Sequence, residues 1–370
     1  MSPVQPTSVY ICLAAGGTGG HVMPAICIAE KLLADGHQIL LLTDKRGAQL
    51  IPNHLSYKVV RSASPFAGSA IRRVAALFQL GAGLVNCLFN LTVKRPAVMV
   101  GFGGYPAAAP VFAAWCLGIP AVMHEQNAVI GRTNLMLARF TKALLASWPE
   151  NQNLPAATPI IHTGLPVRTE FTAIKPYRLN ADTAPFRLAI FGGSLGAALF
   201  ADVIPAALAS LPAPLRKRLI VTHQVRQEQK EALDKLYQQH DITAETSAFF
   251  ANVADIMAQS DLLISRSGAS SVAEIACAGR AAIFIPFAHA LDNHQQANAE
   301  QLCTHNAGIL LTETQADAAT LRDKITKVMH ENDLRLTLAK NARGQAQTGA
   351  TKAITDHILS YSAAQNKEAA

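Results

Sequence analysis

Two apolar patterns alternate along this chain. Short apolar runs such as Val9-Tyr-Ile-Cys-Leu-Ala-Ala15 and Gln38-Ile-Leu-Leu-Leu-Leu-Thr43 have no alternating polar positions, the mark of strands buried on both faces. Between them lie the turn Gly16-Gly-Thr-Gly-Gly20 and a helical pattern from His21 to about Ala34. Strand, glycine turn, helix and strand make a βαβ unit. The same order restarts near residue 187, where Arg187–Phe191 leads through Gly192-Gly-Ser-Leu-Gly-Ala197 into a helix ending about Ala209. A second pair of blocks repeats it. Ala97–Val100 passes through Gly103-Gly104 and a helix to the strand Ile119–Met123, and Asp261–Ile264 passes through Ser267-Gly268 and a helix to the strand Ala282–Pro286.

These blocks predict two doubly wound α/β domains. The stretch Pro149–Pro185 is proline-rich and weakly periodic, and reads as a connector plus a last strand of the first domain, Pro159–His162. The boundaries follow as 1–167 and 168–349, with a helical pattern at about 350–363 (Ile354, Ile358) that can pack back on the first domain. Ligands of such sheets bind beyond the carboxyl ends of the strands, so two glycine-rich faces predict a site in an interdomain cleft.

Composition refines this picture. Of 370 residues, 50% are apolar and 15% charged, against about 25% charged in ordinary soluble domains. That excludes a disordered or fibrous chain and raises the question of a membrane. Val74–Val93 has no charge and is flanked by Arg72, Arg73, Lys94 and Arg95, as a span would be. Against a span, Gln79, Asn86 and Asn90 share one helical face, the pattern of a crossover helix with an apolar face and a polar stripe. The net charge of +7 sits in small clusters rather than a dense stripe, which suits phosphates or an anionic membrane better than nucleic acid. The six cysteines lack metal-ligand or Cys-x-x-Cys spacing and read as reduced thiols. Met1–Tyr10, with no positive region and no long apolar core, does not read as a secretion signal.

The chemistry gathers at the turns. Glycines at a strand end let a backbone approach a ligand, and the following helix N-terminus attracts anions. Gly16–Gly20 does this in the first half and Gly192–Gly196, with the Ser194 hydroxyl, in the second. A dinucleotide fingerprint competes for the first turn, with Asp44 as its ribose ligand, but Val22 stands where the third glycine belongs. His21 opens the helix. Helix N-termini repel positive charge, and a neutral imidazole serves as a general base; a structural hydrogen bond is the alternative. Glu274 either closes a capping box with Ser271 or accepts from ribose hydroxyls. His124-Glu-Gln-Asn127 places four polar side chains at a strand end, costly in a core and useful at a site. Asp292–Asn298 is a polar helix start or a binding segment. No Asp-x-Asp pair occurs, so helix dipoles and neutral donors are expected to stabilise a leaving diphosphate, without a metal or other cofactor.

GGTGGHVMPA (16–25), GFGGYPAAAP (101–110), LGIPAVMHEQNAVIGRTN (117–134), GLPVR (164–168), FGGSLGA (191–197), SRSGASSVAEIACAG (265–279) and PFAHALDNHQQANA (286–299) together resemble the MurG family of bacterial glycosyltransferases. The resemblance runs in order across nearly the whole chain. It implies a GT-B fold and an inverting hexosyltransferase. This enzyme moves N-acetylglucosamine from UDP-GlcNAc to the MurNAc 4-hydroxyl of undecaprenyl-pyrophosphoryl-MurNAc-pentapeptide (lipid I), giving lipid II for peptidoglycan synthesis. It implies donor contacts at Thr18, Gly19, Gly20, Asn127, Arg168 and Ser194, with uracil near Phe250. The segment Ala269, Ser270, Ser271, Val272, Ala273 and Glu274 then lines the nucleotide, with Glu274 on the ribose and Gln295 on the sugar. His21 is the favoured base and Glu125 the second candidate. It further implies a peripheral place on the cytoplasmic face of the inner membrane, with cell-wall and division proteins as partners. The membrane contact expected from Val74–Val93 includes Phe66, Phe78 and Trp115, edged by Arg72, Arg73, Lys94 and Arg95. The loop Ser62–Ala70 departs from the family's glycine- and lysine-rich character. The alternatives are another UDP-sugar transferase with a lipid acceptor, a nicotinamide-dependent dehydrogenase and a non-catalytic membrane scaffold.

Overall fold

The structure, a computed structural model, describes residues 8–62, 69–181, 183–193 and 198–368, with side chains except at 70–75, 77 and 363–368. The chain divides into two compact units, Met1–Pro166 with Gly349–Ala370, and Val167–Thr348.

The first unit runs β1 (Tyr10–Ala14), α1 (Gly19–Ala34), β2 (Gln38–Thr43), α2 (Lys45–Ala48), β3 (Tyr57–Val59), α3 (Ala70–Val93), β4 (Val98–Gly101), α4 (Ala108–Cys116), β5 (Ala121–Glu125), α5 (Arg132–Ala138), β6 (Ala143–Ala146) and β7 (Ile160–His162). Its strands pair in parallel in the order β3-β2-β1-β4-β5-β6-β7. Alternation along β1 explains why the runs are unbroken. Ile11 and Leu13 enter one core with residues of α1, while Cys12 and Ala14 enter the opposite core with Cys87 and Leu91 of α3 and Val111 of α4. The second unit runs α6 (Thr169–Thr172), β8 (Phe186–Phe191), α7 (Ala198–Ala209), α8 (Ala213–Arg216), β9 (Leu219–Gln224), α9 (Lys230–Gln239), β10 (Thr243–Ser247), α10 (Val253–Gln259), β11 (Leu262–Ser265), α11 (Ala269–Ala278), β12 (Ala281–Phe284), α12 (His294–Cys303), β13 (Ile309–Leu310), α13 (Ala318–His330) and α14 (Asn332–Gly344). Its parallel order, β10-β9-β8-β11-β12-β13, repeats the first six strands of the other unit. Strand order therefore reverses beside β1 in one sheet and beside β8 in the other, where such sheets bind ligands. The last helix, α15 (Ala350–Glu368), rejoins the first unit, with Ile354 and Ile358 fully buried in the α1-side core.

Among the described residues no helix is long and apolar enough to cross a membrane. The uncharged segment is instead α3, packed on α4, and it has two apolar faces rather than one. Ala76, Gly83, Cys87 and Leu91 are buried against the domain; a side chain at Gly83 would run into the carbonyl oxygen of Arg61. Phe78, Val85, Phe89 and Val93 form a second stripe, each at least two-thirds exposed. The polar stripe of Gln79, Asn86 and Asn90 lies between these faces, and Asn90 accepts from Lys58 at 2.7 Å.

Candidate active site

In the first unit, the turns after β1, β4 and β5 converge on His21. Thr18 is the extended N-cap residue of α1, exposed and making no side-chain cap bond; Gly19 and Gly20 form the first turn, and His21 follows half-buried. Helix N-terminal N–H groups without partners are what an anion needs. The preceding Gly17 amide donates to the carboxylate of Asp44 at 3.0 Å, and the same oxygen accepts from the Gly47 amide at 2.8 Å, capping α2. Asp44 therefore braces the glycine turn. The dinucleotide reading gave it a ribose instead, and these bonds correct that expectation.

The His21 ring lies against the turn after β4. Gly103 has φ +94°, and a Cβ there would stand 3.1 Å from the ring and 2.9 Å from Asn134 Oδ1, so only glycine fits. The turn after β5 supplies the ring's partner: His21 Nδ1 lies 3.0 Å from Gln126 Oε1. The Gln126 amide nitrogen donates to the Phe102 carbonyl at 2.8 Å and lies 3.1 Å from His124 Nδ1. His124 Nε2 reaches the Gly164 carbonyl at 3.0 Å. Burial pushes the His124 imidazole down to about 4, so this ring is neutral near pH 7. His124 and Gln126 are both fully enclosed.

Glu125 is enclosed as well. One carboxylate oxygen accepts from the backbone and side-chain nitrogens of Asn127 at 2.9 and 3.3 Å, and the other from the Gly131 amide and Asn134 Nδ2 at 2.9 and 2.8 Å. Four N–H donors thus converge on it, and it clasps the Asn127–Gly131 loop. Trp148 and Ser147 tie the same strand end from the neighbouring strand, donating to the carbonyls of Gln126 and Glu125 at 2.9 and 2.7 Å.

In the second unit the turns after β8, β11 and β12 carry the predicted donor residues. Ser194 lies outside the described residues. Gly268 is the N-cap of α11 and makes no side-chain bond, and Ser271 already belongs to the first helical turn. The capping-box alternative for Ser271 and Glu274 is therefore excluded. Along this segment Ser270, Ser271 and Glu274 face partly outward, whereas the side chains of Ala269, Val272 and Ala273 are buried and present only backbone. Glu274 lies 3.4 Å from Arg168, whose guanidinium also pairs with Glu170 at 2.9 Å and stacks 4.6 Å over Phe171. Burial raises the Glu274 carboxyl to about 7 despite the opposing pull of Arg168. The Gln295 oxygen accepts from the Phe287 amide at 3.0 Å, and Asn298 donates to the Ser267 carbonyl at 3.1 Å, anchoring α12 beside the β11 turn. The Phe250 ring is buried; its neighbour Phe249 is the one at the surface, 75% exposed. Arg266 passed unremarked in the sequence. It is buried, pairs with Glu313, donates to the carbonyls of Ile285 and Pro286 at 3.0 and 3.1 Å, and so holds the loop after β12. An arginine next to a small-residue turn was its only signal.

The sequence pattern of the glycosyltransferase family 28 N-terminal domain matches residues 11–146, and that of the family's C-terminal domain matches residues 187–356. A Sinorhizobium medicae protein named UDP-N-acetylglucosamine–N-acetylmuramyl-(pentapeptide) pyrophosphoryl-undecaprenol N-acetylglucosamine transferase is 39% identical over 92% of this chain and 91% of its own. The chain belongs to glycosyltransferase family 28. A Paramagnetospirillum magneticum relative of the same name is 37% identical over 97% of this chain and 98% of its own. The crystal structure of Acinetobacter baumannii MurG superposes with a TM-score of 0.79 at 32% identity, covering 95% of this chain and 99% of that one. Two Rossmann-like parallel-sheet domains within family 28 make this a GT-B fold. Family 28 membership replaces the dehydrogenase and scaffold alternatives with a hexosyltransferase.

Proposed function

We infer that this chain transfers N-acetylglucosamine from UDP-GlcNAc to the MurNAc 4-hydroxyl of lipid I, giving lipid II and UDP for peptidoglycan synthesis. The observation that carries this reading is the end-to-end match to relatives named for that transfer. The His21 imidazole takes the proton of the acceptor hydroxyl as its oxygen forms a bond to C1 of the donor sugar with inversion. The C1–O bond to the diphosphate breaks, and its electron pair leaves on UDP. Glu125 is the less suited candidate in this scheme, because its oxygens already accept from four donors. In the second unit, Arg168, Ser194 and the amide-rich start of α11 hold the diphosphate and offset its growing charge, which asks for no metal; in the first, Asn127 and the start of α1 offer further polar groups for the donor. Glu274 accepts from the ribose, and Gln295 meets the sugar.

The acceptor is carried by a lipid, and the exposed stripe of α3 supplies a surface for it. Phe78, Val85, Phe89 and Val93 enter the headgroup region of the inner membrane's cytoplasmic face. Trp115, half-exposed and stacked with Phe112 at 5.4 Å, extends the patch from α4. Arg95 borders it, donating to the Gly118 carbonyl at 3.2 Å. Lys94 turns away over the Tyr10 ring at 4.1 Å, so its part in the rim is small. Phe66 and the side chains of Arg72 and Arg73 lie outside the described residues.

Transfer of radiolabel from UDP-GlcNAc to lipid I, with diacylglycerol as the competing acceptor, tests the assignment. Product with lipid I alone is expected. Product with diacylglycerol alone, or protection from thermal unfolding by NAD but not by UDP, overturns it.

A further inference from the structure

We propose that Gln126, backed by His124, locks His21 as the tautomer with hydrogen on Nδ1, so that Nε2 is the nitrogen that accepts the proton. This deepens the reading of His21 as the base and rests on it.

The assignment follows from which atoms can only accept. The Gln126 amide nitrogen is ringed by the Phe102 carbonyl oxygen at 2.8 Å, the His124 carbonyl oxygen at 3.2 Å and His124 Nδ1 at 3.1 Å. If the amide were turned over, its oxygen would face two carbonyl oxygens, so the NH2 group belongs there and Oε1 faces His21. The next ring agrees. His124 Nε2 stands 3.0 Å from the Gly164 carbonyl, which only accepts, so Nε2 carries the hydrogen. The neutral ring then offers Nδ1 as an acceptor to Gln126. Every group in the chain from Gly164 to Gln126 thus has one permitted role. At its end an oxygen 3.0 Å from His21 Nδ1 requires an N–H there. The neutral imidazole then has its lone pair on Nε2, and among the described residues no protein group pairs with that atom. The turn at Gly103 packs on the Nδ1 and Cε1 side of the ring and keeps that edge turned inward.

Gln126 and His124 are therefore positioning residues, acting through His21 without touching the acceptor. A neutral amide in this place fixes orientation without adding a negative charge behind the ring.

Two-bond proton–nitrogen spectra of the full chain carrying 15N-labelled histidine, at pH 8, read the tautomer directly; His21→Ala identifies the signal. Hydrogen on Nδ1 is expected. Hydrogen on Nε2 overturns the inference without touching the choice of His21 as base, which fails separately if His21→Ala turns over normally. Gln126→Met, a neutral side chain of similar length, should then give mixed tautomers, with kcat lower by about 10-fold or more and KM for UDP-GlcNAc unchanged. Wild-type kcat in a folded Gln126→Met protein, or a fall that appears only in KM, also overturns it. The wild-type spectrum decides the matter even if the variant does not fold.

Discussion

Arg168, at the start of α6, and Glu274, on α11, meet at 3.4 Å, and burial holds the carboxyl up at about 7. Burial is the larger influence, Arg168 opposes it, and Glu170 adds a smaller push upward. Accepting from both ribose hydroxyls, one on each oxygen, needs the ionised carboxylate, so donor affinity should fall as pH drops through this value. Between pH 8 and pH 6 the ionised fraction changes about tenfold, and the Kd for UDP-GlcNAc should rise by the same factor. Calorimetric titration across that range checks it, with Glu274→Gln expected to bind weakly and independently of pH. Stability moves the other way: the folded carboxyl holds its proton above its ordinary value, so this group destabilises the fold progressively from about 4.5 to 7 and no further beyond.

Replacing Glu125 by alanine strands four N–H donors at a buried strand end. A cost of about 3 kcal/mol or more follows, since hydrogen bonds to a charged group contribute about 1.5–3 kcal/mol each. Glu125→Gln keeps an acceptor for about half of them and should fall between. Denaturant unfolding of both variants measures this. Equal stability of Glu125→Ala and the parent would remove the loop-clasp role.

Gly103→Ala places a methyl group against the His21 ring and Asn134 at a φ of +94°. The strained backbone costs about 1–3 kcal/mol, and the ring must move. We expect kcat to fall by about 10²-fold, because a displacement near 1 Å at a reacting group has that effect, while UDP-GlcNAc binding stays within about twofold. Steady-state kinetics beside donor titration separates the two.

Phe78→Asp with Phe89→Asp interrupts the exposed stripe of α3 while leaving its buried face alone. Each aromatic buried in a membrane interface contributes about 1.5–3 kcal/mol, so binding to vesicles of anionic phospholipid should weaken by at least about 10²-fold. Sedimentation with such vesicles reads the loss, and the circular dichroism spectrum should be unaltered.

Both sheets could be read in advance because their strands are buried on both faces, which turns them into uninterrupted apolar runs ended by glycine. The turns at Gly16–Gly20 and His124–Asn127 stood out for the same local reason: glycine and polar residues at a strand end have few other uses. What stayed hidden depends on distant pairing. Asp44 enters only as the ribose ligand of a competing dinucleotide reading, and its place under Gly17, 27 residues away, has no local signal. The bond between His21 and Gln126 spans 105 residues, so no spacing rule reveals it. For α3, periodicity found an apolar face but could not tell the domain side from the outer side, since Cys87 and Val85 are alike in hydropathy and opposite in exposure. Phe249 and Phe250 show the same blindness between adjacent residues.

The position of α15 bears on how the protein is made. Ile354 and Ile358 complete the core around α1, yet they are synthesised after the whole of Val167–Thr348. As the chain leaves the ribosome, the unit begun second has all its strands available before the unit begun first can close. Until the last helix arrives, the surface it will cover on the first unit is open to solvent and to other chains. Synthesis of α15 therefore decides when the first unit becomes a finished domain.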